Sequence, residues 1–247
     1  MKIIISPAKK MKVDTDSFDV AALPQYLPET QQLLDQLLQL PYPKLQSLWH
    51  CSDKLAQQAY RQLQQTDLTR QLTPALVAYS GIQYQYMAPD VFTDQAFAYV
   101  QAHLRILSGF YGALRPFDGV VPYRLEMQTP LPVAEHPNLY AFWGSKPKQA
   151  LNLNHEPLIN LASQEYSKTI RNYLQPDEPM IDIVFGHLVD GKLKTRATFA
   201  KMARGEMVRF MAENDVQQVD ALKSFDRLNY HFTPSLSTAT TLVFLTD

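Results

Sequence analysis

The chain has 247 residues, 46% of them apolar, and a net charge of −1, which excludes a polycation that binds nucleic acid through its overall charge. The single cysteine, Cys51, excludes an intrachain disulfide and is typical of a reducing compartment; we expect it to be buried and inert. No apolar run approaches the ~18 residues of a membrane span, and the short apolar start differs from a secretory leader. We therefore expect a cytoplasmic protein with no membrane partner.

The sequence contains no recognisable metal-binding motif. No two of the six histidines lie three or four residues apart, and neither HExxH nor CxxC occurs. We therefore expect no metal and no cofactor, although ligands from distant parts of the chain could still converge in space.

The first element is a predicted buried strand at residues 1–5, which Ser6-Pro7 closes. Lys9 follows the carboxyl end of this strand, where open α/β sheets bind their ligands. Lys9 is therefore a candidate anion contact, with a solvated loop lysine as the alternative.

Three helices are predicted next, at residues 29–40, at residues 44–50, and from an N-cap at Ser52 to about residue 64. Lys54 would lie in the first turn of the third helix, where the helix dipole disfavours a cation. This placement makes Lys54 a candidate for binding rather than for stability.

A second buried strand is predicted at residues 76–79, and a helix that begins near Thr93 is predicted to end at Gly109. From there, Gly109-x-x-Gly112 and Ala-Leu-Arg-Pro resemble a helix-hairpin-helix, whose tight turn binds a phosphate through backbone N–H groups. Arg105 and Arg115 would flank that phosphate. The alternative is a helix end followed by a loop with solvated arginines.

Residues 120–127 are predicted to form a strand with Arg124 and Glu126 on one face. The two side chains are either a structural ion pair or part of a pocket for a polar substrate. A third buried strand at residues 157–161 leads into a helix with Ser163 as N-cap. Such a helix N-terminus binds anions, with a plain cap as the alternative.

The dipeptide Asp190-Gly191 predicts a hairpin between strands at residues 180–188 and 192–195. The last helix, at residues 198–213, would carry Gly205 within a basic face. That face is formed by Lys201, Arg204 and Arg209. Because a glycine costs about 1 kcal/mol inside a helix, we expect another backbone or a ligand close to Gly205. The remaining predicted elements are a helix at residues 138–152 and strands at residues 227–233 and 241–245.

Strands and helices are mixed throughout, and the sequence contains neither a linker nor a repeat. We therefore predict one compact domain over residues 1–247, of the α/β (mixed α+β) class, with a central mixed sheet. The basic residues come from at least four separated places in the chain. Their convergence would form one positive cleft in a nearly neutral protein.

Several short motifs occur in a fixed order over essentially the whole chain. They are ISPAK (5–9), SDKLA (52–56), LR and LSG (104–109), YG (111–112), LRP (114–116), PYRLEM (122–127), FWG (142–144), NLAS with EY (160–166) and ARG (203–205). Together they resemble the YaaA family of peroxide stress resistance proteins. The resemblance implies a cytoplasmic role in the response to hydrogen peroxide, with limitation of iron-dependent damage. It also implies a helix-hairpin-helix beside a positive cleft, and binding of DNA as duplex or bubble.

DNA binding is the first hypothesis for the function, with low to moderate affinity because the net charge is close to zero. The predicted contacts are Lys9, Lys54, Arg105, Gly109, Tyr111, Gly112, Arg115, Arg124, Ser163, Lys168, Lys201, Arg204 and Arg209. The alternative is an enzyme of unassigned reaction in the same cleft. Its substrate would be a small anionic ligand: a nucleotide, a nucleobase or a phosphorylated metabolite.

Glu126, Glu165 and Tyr166 are the candidate catalytic residues of such an enzyme, as acid, base or proton donor. A third hypothesis is a protein that handles iron or peroxide directly. The single cysteine and the scattered histidines argue against it, because a thiol sensor usually needs a resolving partner.

Overall fold

The computed structural model describes residues 1–246; Asp247, the last residue of the expected domain, lies outside the described residues. A mixed sheet of eight strands forms the centre of the fold, and two further strands pair separately. In chain order the strands are β1 (Lys2–Ile5), β2 (Thr73–Pro74), β3 (Leu104–Ser108), β4 (Gly112–Leu114), β5 (Gly119–Val120), β6 (Leu158–Leu161), β7 (Met180–Val189), β8 (Lys192–Lys194), β9 (His231–Phe232) and β10 (Thr241–Leu245). The predicted fold class, mixed α/β with a central mixed sheet, is confirmed.

The strand order of the large sheet is β4-β3-β1-β6-β7-β10-β9, with β8 paired to β7. The five strands β3, β1, β6, β7 and β10 are parallel, and β4 and β9 lie antiparallel at the two edges. The chain passes from β1 to β3 on one side and later returns to β6 on the other side. The strand order therefore reverses beside β1, and open parallel sheets bind ligands in the crevice outside such a switch point.

Within residues 1–246, ten α-helices surround the sheet. They are α1 (Leu27–Leu38), α2 (Tyr42–Trp49), α3 (Asp53–Gln64), α4 (Ala75–Ala78), α5 (Ile82–Met87), α6 (Asp94–His103), α7 (Leu139–Trp143), α8 (Lys146–Gln149), α9 (Gln164–Arg171) and α10 (Ala197–Glu213). The amphipathic pattern of α1 predicts a buried stripe of Leu33, Leu34, Leu37 and Leu38; the first three are buried, and Leu38 is exposed. Thr93 caps α6, since its hydroxyl accepts a hydrogen bond from the N–H of Ala96.

Locally encoded elements agree with the sequence. Strands β1, β6 and β10 lie where apolar runs predict them, and α10 covers the predicted last helix. The Asp190-Gly191 turn joins β7 to β8, and both residues have positive φ values, 51° and 72°. These angles are those of the predicted hairpin turn.

The predicted strand at residues 76–79 is wrong. Residues Ala75–Ala78 form the short, fully buried helix α4. A four-residue apolar run fits a buried strand and a buried helical turn equally well, so its pattern could not decide between them. Two of the later elements are also shorter than predicted. Of residues 120–127 only Val120 lies in a strand, the two-residue β5, and Gly144, with φ of 50°, separates α7 from α8. In the same way, Arg227–Asn229 forms a 3₁₀ turn before β9.

The predicted helix that ends at Gly109 is wrong beyond His103. There α6 ends and β3 begins, with Leu104 paired to Ile3 and Ile106 paired to Ile5 in the parallel register. Leucines at 104 and 107 fit a helical stripe, but they also fit a strand that is buried on both faces. Pairing with β1 selected the strand.

The expected helix-hairpin-helix is wrong for the same reason, because β3 and β4 form an antiparallel hairpin. In its turn, the N–H groups of Phe110 and Tyr111 donate to the hydroxyl of Ser108 at 3.1 and 2.9 Å. These N–H groups are therefore bound inside the protein rather than available to a phosphate.

The two glycines of this turn serve close packing. A Cβ on Gly109 would lie 2.7 Å from the carbonyl oxygen of Leu125, and a Cβ on Gly112 would lie 2.8 Å from the ring of Trp143. Gly112 also has a φ of 74°, a conformation that other residues rarely adopt.

Candidate functional site

A cleft of about 510 Å³ lies outside the carboxyl ends of β1 and β6, at the switch point of the sheet. We call it the cationic cleft. Ser6 follows β1 and Ser163 follows β6, and the N–H of Ser163 donates to the Ser6 hydroxyl at 2.8 Å. Ser163 occupies the predicted N-cap position of α9, but its hydroxyl lies 3.2 Å from that of Ser6 instead of capping the helix. The two strand ends are thus held together at the floor of the cleft.

Five basic side chains line the cationic cleft: Lys9, Lys10, Arg124, Lys201 and Arg204. They come from three separate parts of the chain, the segment after β1, the segment before residue 127, and α10. The predicted convergence of basic residues is therefore found for four of the predicted ones, and Lys10 joins them. The total charge of the protein stays near zero, so the positive potential is local.

Arg124 and Arg204 differ from the other half-buried arginines of the described chain. Arg115, Arg209 and Arg227 form ion pairs with carboxylates, and Arg105 donates to backbone carbonyl groups. Within residues 1–246, neither Arg124 nor Arg204 has an ion-pair or hydrogen-bond partner, and the Nε–H of each is buried. Burial also lowers the pKa of Arg204. A half-buried cation that forms no ion pair is costly unless a ligand supplies the negative charge.

Close packing of α10 against α5 places Arg204 in the lining of the cleft. A Cβ on Gly205 would lie 2.1 Å from the carbonyl oxygen of Gln83 and 2.8 Å from the N–H nitrogen of Met87, so α10 packs directly on the backbone of α5. The expectation that another backbone approaches Gly205 is confirmed. The same contact brings Gln83 into the lining of the cleft, where its buried amide Nε2 has no partner among the described residues.

Helix α5 is fixed in turn to the segment after β1. The hydroxyl of Tyr84 donates to the carbonyl oxygen of Ser6 at 2.9 Å, and a Cβ on Gly81 would lie 2.8 Å from Cβ of Ala8. The wall that carries Arg124 is held by Tyr123, whose hydroxyl bonds to those of Ser108 at 2.7 Å and Tyr79 at 2.8 Å. The walls of the cleft are therefore built before any ligand binds.

Two carboxylates lie among these cations. Glu126 forms an ion pair with Lys9 at 2.7 Å and not with Arg124, and both Arg124 and Glu126 line the cleft, the second of the two alternatives. Glu165 accepts a hydrogen bond from the N–H of Gln128 at 3.2 Å. Burial, and then the nearby carboxylate of Glu126, raise the pKa of Glu165.

The third candidate catalytic residue, Tyr166, is buried at the edge of the cationic cleft, and burial raises its pKa far above the usual value. Tyr166 is therefore a neutral hydrogen-bond donor at physiological pH. Together with Glu126 and Glu165 it lines the same cleft as the cations, so all three candidate catalytic residues are brought together.

The predicted contacts around residues 105–115 are not part of the cleft. Arg105 donates to the carbonyl oxygen of Leu104 at 2.7 Å, and burial lowers its pKa. Arg115 pairs with the buried Asp118 at 2.8 Å, and Tyr111 is buried in the core, where its hydroxyl accepts from the N–H of Val121. These residues stabilise the β3–β4 region rather than bind a ligand.

Three further predicted contacts also lie elsewhere. Lys54 is exposed on the first turn of α3, and Arg209 pairs with Glu213 on α10 at 2.7 Å. Lys168 is exposed above the ring of Tyr140, 5.0 Å from its centroid. Cys51 is half-buried rather than fully buried.

Sequence reasoning missed Lys10, Gln83 and Tyr84 as residues of the site. Lys10 directly follows Lys9 and shares its position after β1, which was an available signal. No local signal marks Gln83, because its place depends on the contact between α5 and α10. The pairing of Arg115 was also foreseeable, since Asp118 follows it by three residues.

Metal-type side chains do not cluster in the described structure: no group of three His, Cys, Asp or Glu residues within 1–246 could hold a metal ion. The helices of this part of the chain include none with the length and hydropathy needed to cross a membrane.

Known sequences identify the group to which this chain is similar. The sequence profile of the peroxide stress protein YaaA family matches residues 1–236. A UPF0246 protein of Lactiplantibacillus plantarum is 62% identical over 245 residues, which cover 99% of each chain. UPF0246 proteins of Pediococcus pentosaceus and Agathobacter rectalis are 58% and 50% identical, each over 99% of this chain and 98% of the relative. The chain therefore belongs to the peroxide stress protein YaaA family, as the sequence motifs indicated.

Proposed function

We propose that this protein serves the peroxide stress response by binding DNA in the cationic cleft. The observation that carries the proposal is the pair of half-buried arginines, Arg124 and Arg204, that lack a partner within the described residues. Phosphate oxygens are the preferred partners of the planar guanidinium group. Lys10 and Lys201 add charge around them, and Lys9 lies in the same cleft, paired with Glu126. This surface replaces the β3–β4 hairpin, whose backbone N–H groups are bound internally.

Binding titrations at two salt concentrations test the proposal, with a fluorescent DNA duplex and the same duplex carrying a central bubble. Each phosphate that a side chain neutralises contributes about one unit to the slope of log affinity against log salt. We expect Arg124→Gln and Arg204→Gln each to weaken binding and to lower that slope by about one unit. Arg70→Gln removes an exposed arginine outside the cleft and is the matched control. Equal binding by all four proteins would exclude the cationic cleft as the DNA surface.

The proposal includes the limitation of iron-dependent damage in cells. Cells that express Arg204→Gln as their sole copy should then be more sensitive to hydrogen peroxide than cells that express the unchanged protein at the same level. An added iron chelator should remove the difference. Equal sensitivity at equal expression would separate the stress role from the cationic cleft.

An enzyme that acts on a nucleotide, a nucleobase or a phosphorylated metabolite is the second candidate. The observation that favours it is Glu165, which lines the cleft beside Tyr166 and has a raised pKa. A carboxyl group that titrates closer to neutral pH is suited to general acid or base catalysis. If the protein converts such a substrate, Glu165→Gln should lose turnover while its affinity for DNA does not fall. Conversion by Glu165→Gln at the unchanged rate would exclude this role.

A further inference from the structure

A second cavity of about 510 Å³ adjoins the cationic cleft, and we call it the apolar cavity. The two share Lys9, Lys10, Tyr123 and Arg124 in their walls, so they adjoin at these four residues. The far wall is mainly apolar and comes from α1, α2 and α3. Its side chains include Leu34, Leu37, Trp49, Leu55, Ala59 and Leu63. A ligand that fills both cavities therefore has an anionic end and a largely apolar body.

One side chain of this wall, that of Trp49, carries a buried polar atom. Trp49 is only 5% exposed, and its indole N–H has no acceptor within residues 1–246. A buried indole N–H usually finds a partner. A simple fatty-acid or aromatic carboxylate would leave this N–H without an acceptor, because the apolar body of such a ligand carries none. A nucleobase has ring nitrogens and carbonyl oxygens within a flat, stackable body.

We propose that the apolar cavity binds the base of a nucleotide whose phosphate lies in the cationic cleft. This inference rests on the proposed function and names the chemical unit that the site recognises. Volume and lining fit it, since small-molecule pockets of about 300–1,000 Å³ are typically apolar with a few directed polar groups. Arg124 lines both cavities and would therefore lie between the base and the phosphate. The nucleotide is either free or an unpaired residue of a DNA strand.

Calorimetric titration of the full chain with deoxyadenosine 5′-monophosphate and with 2-deoxyribose 5-phosphate separates the base from the phosphate. We expect the nucleotide to bind more than fivefold tighter, as base stacking provides. Trp49→Phe keeps an aromatic ring but removes the N–H, and should weaken nucleotide binding by about fivefold while leaving the sugar phosphate unchanged. Ala59→Phe fills the cavity and should act in the same direction. Ala102→Phe places the same ring on the exposed face of α6 and should change neither affinity.

A second experiment, with DNA probes, distinguishes a free nucleotide from an unpaired residue of a DNA strand. The probes are a duplex with one unpaired adenine and the same duplex with an abasic residue at that position. The unchanged protein should bind the duplex with the unpaired adenine more tightly than the abasic duplex, and Ala59→Phe should lose this preference. That result supports the apolar cavity as the site of a base within a strand, even if the free nucleotide does not bind.

Two outcomes would overturn the inference. If all four ligands bind without regard to the base, or if Trp49→Phe and Ala59→Phe bind like the unchanged protein, the apolar cavity is not a base pocket. The proposed function would still stand in that case, provided that Arg204→Gln weakens DNA binding. If none of the four phosphate-bearing probes binds, the proposed function is removed, and the inference with it.

Discussion

The carbonyl oxygen of Gln83 on α5 lies where a side chain at position 205 of α10 would have to be, 2.1 Å from the Cβ position of Gly205. This contact decides the shape of the cationic cleft. It sets the distance between two helices that carry Gln83 and Arg204, both of which line the cleft. A helix glycine that is unfavourable by propensity is therefore explained by packing and by its effect on the site.

Gly205→Ala tests that relationship. In an open helix, this change would add about 1 kcal/mol of stability. Here the methyl group meets backbone atoms that cannot rotate away, so we expect the free energy of unfolding in urea to fall by about 1–3 kcal/mol. Anion binding should weaken as well, because Arg204 moves with α10. Gly191→Ala adds a methyl group where no atom lies within 4 Å, and should cost about 1 kcal/mol through its positive φ alone. A stabilised Gly205→Ala would contradict the packing explanation.

Arg204→Met should separate stability from binding. Because Arg204 is half-buried without a partner among residues 1–246, an apolar side chain of similar length should raise the free energy of unfolding by about 1 kcal/mol. The same variant should lose the thermal stabilisation that inorganic phosphate gives to the unchanged protein. Arg227→Met removes a partner of Glu206 and Glu213 and should instead lower stability. Loss of stability in both variants would assign Arg204 a structural role.

The pH dependence of anion binding should report the protonation of the Glu165 carboxylate. Its pKa is raised above the ordinary 4.5, so its carboxylate takes up a proton earlier as the pH falls. Protonation removes one negative charge from the cationic cleft, and sulfate, whose own charge is constant, should therefore bind more tightly as the pH falls through the raised pKa.

In Glu165→Gln this pH dependence should be reduced, and the affinity near neutral pH should be higher than in the unchanged protein. Glu135→Gln, at an exposed position, is the control and should keep the original profile. Sulfate affinity that is independent of pH in the unchanged protein would show that Glu165 does not face the bound anion.

Tyr123→Phe should weaken the wall shared by the two cavities. The hydroxyl of Tyr123 is buried between Ser108 and Tyr79, and its removal leaves both without one partner. We expect the free energy of unfolding to fall by about 1–2 kcal/mol. Tyr173→Phe removes an exposed hydroxyl and should change it very little. A difference of less than 0.5 kcal/mol between the two variants (roughly the scatter of surface substitutions) would rule out this role.

How far the sequence predicts the site depends on the range of each interaction. Lys9 and Ser163 follow apolar runs that were predicted as buried strands and that form β1 and β6, so their place at the carboxyl edge followed from the pattern. Gly205 signalled a close contact because its cost inside a helix requires a reason. The phosphate contacts predicted for Arg105 and Arg115 were wrong because glycine spacing alone does not distinguish a helical turn from a β-hairpin.

By itself, the sequence determined the fold class, the family, the locally encoded strands and helices, and most of the basic residues of the cleft. Apolar periodicity, turn dipeptides and motif order are local properties, and they can be recognised without knowing which distant residues each segment contacts. Only the tertiary structure decided that β3 is a strand, because pairing with β1 is contact between residues about 100 positions apart. It also decided which arginines are free for a ligand. Whether a guanidinium has a carboxylate beside it depends on where distant segments meet, and within residues 1–246 that leaves Arg124 and Arg204 unpaired in the cationic cleft.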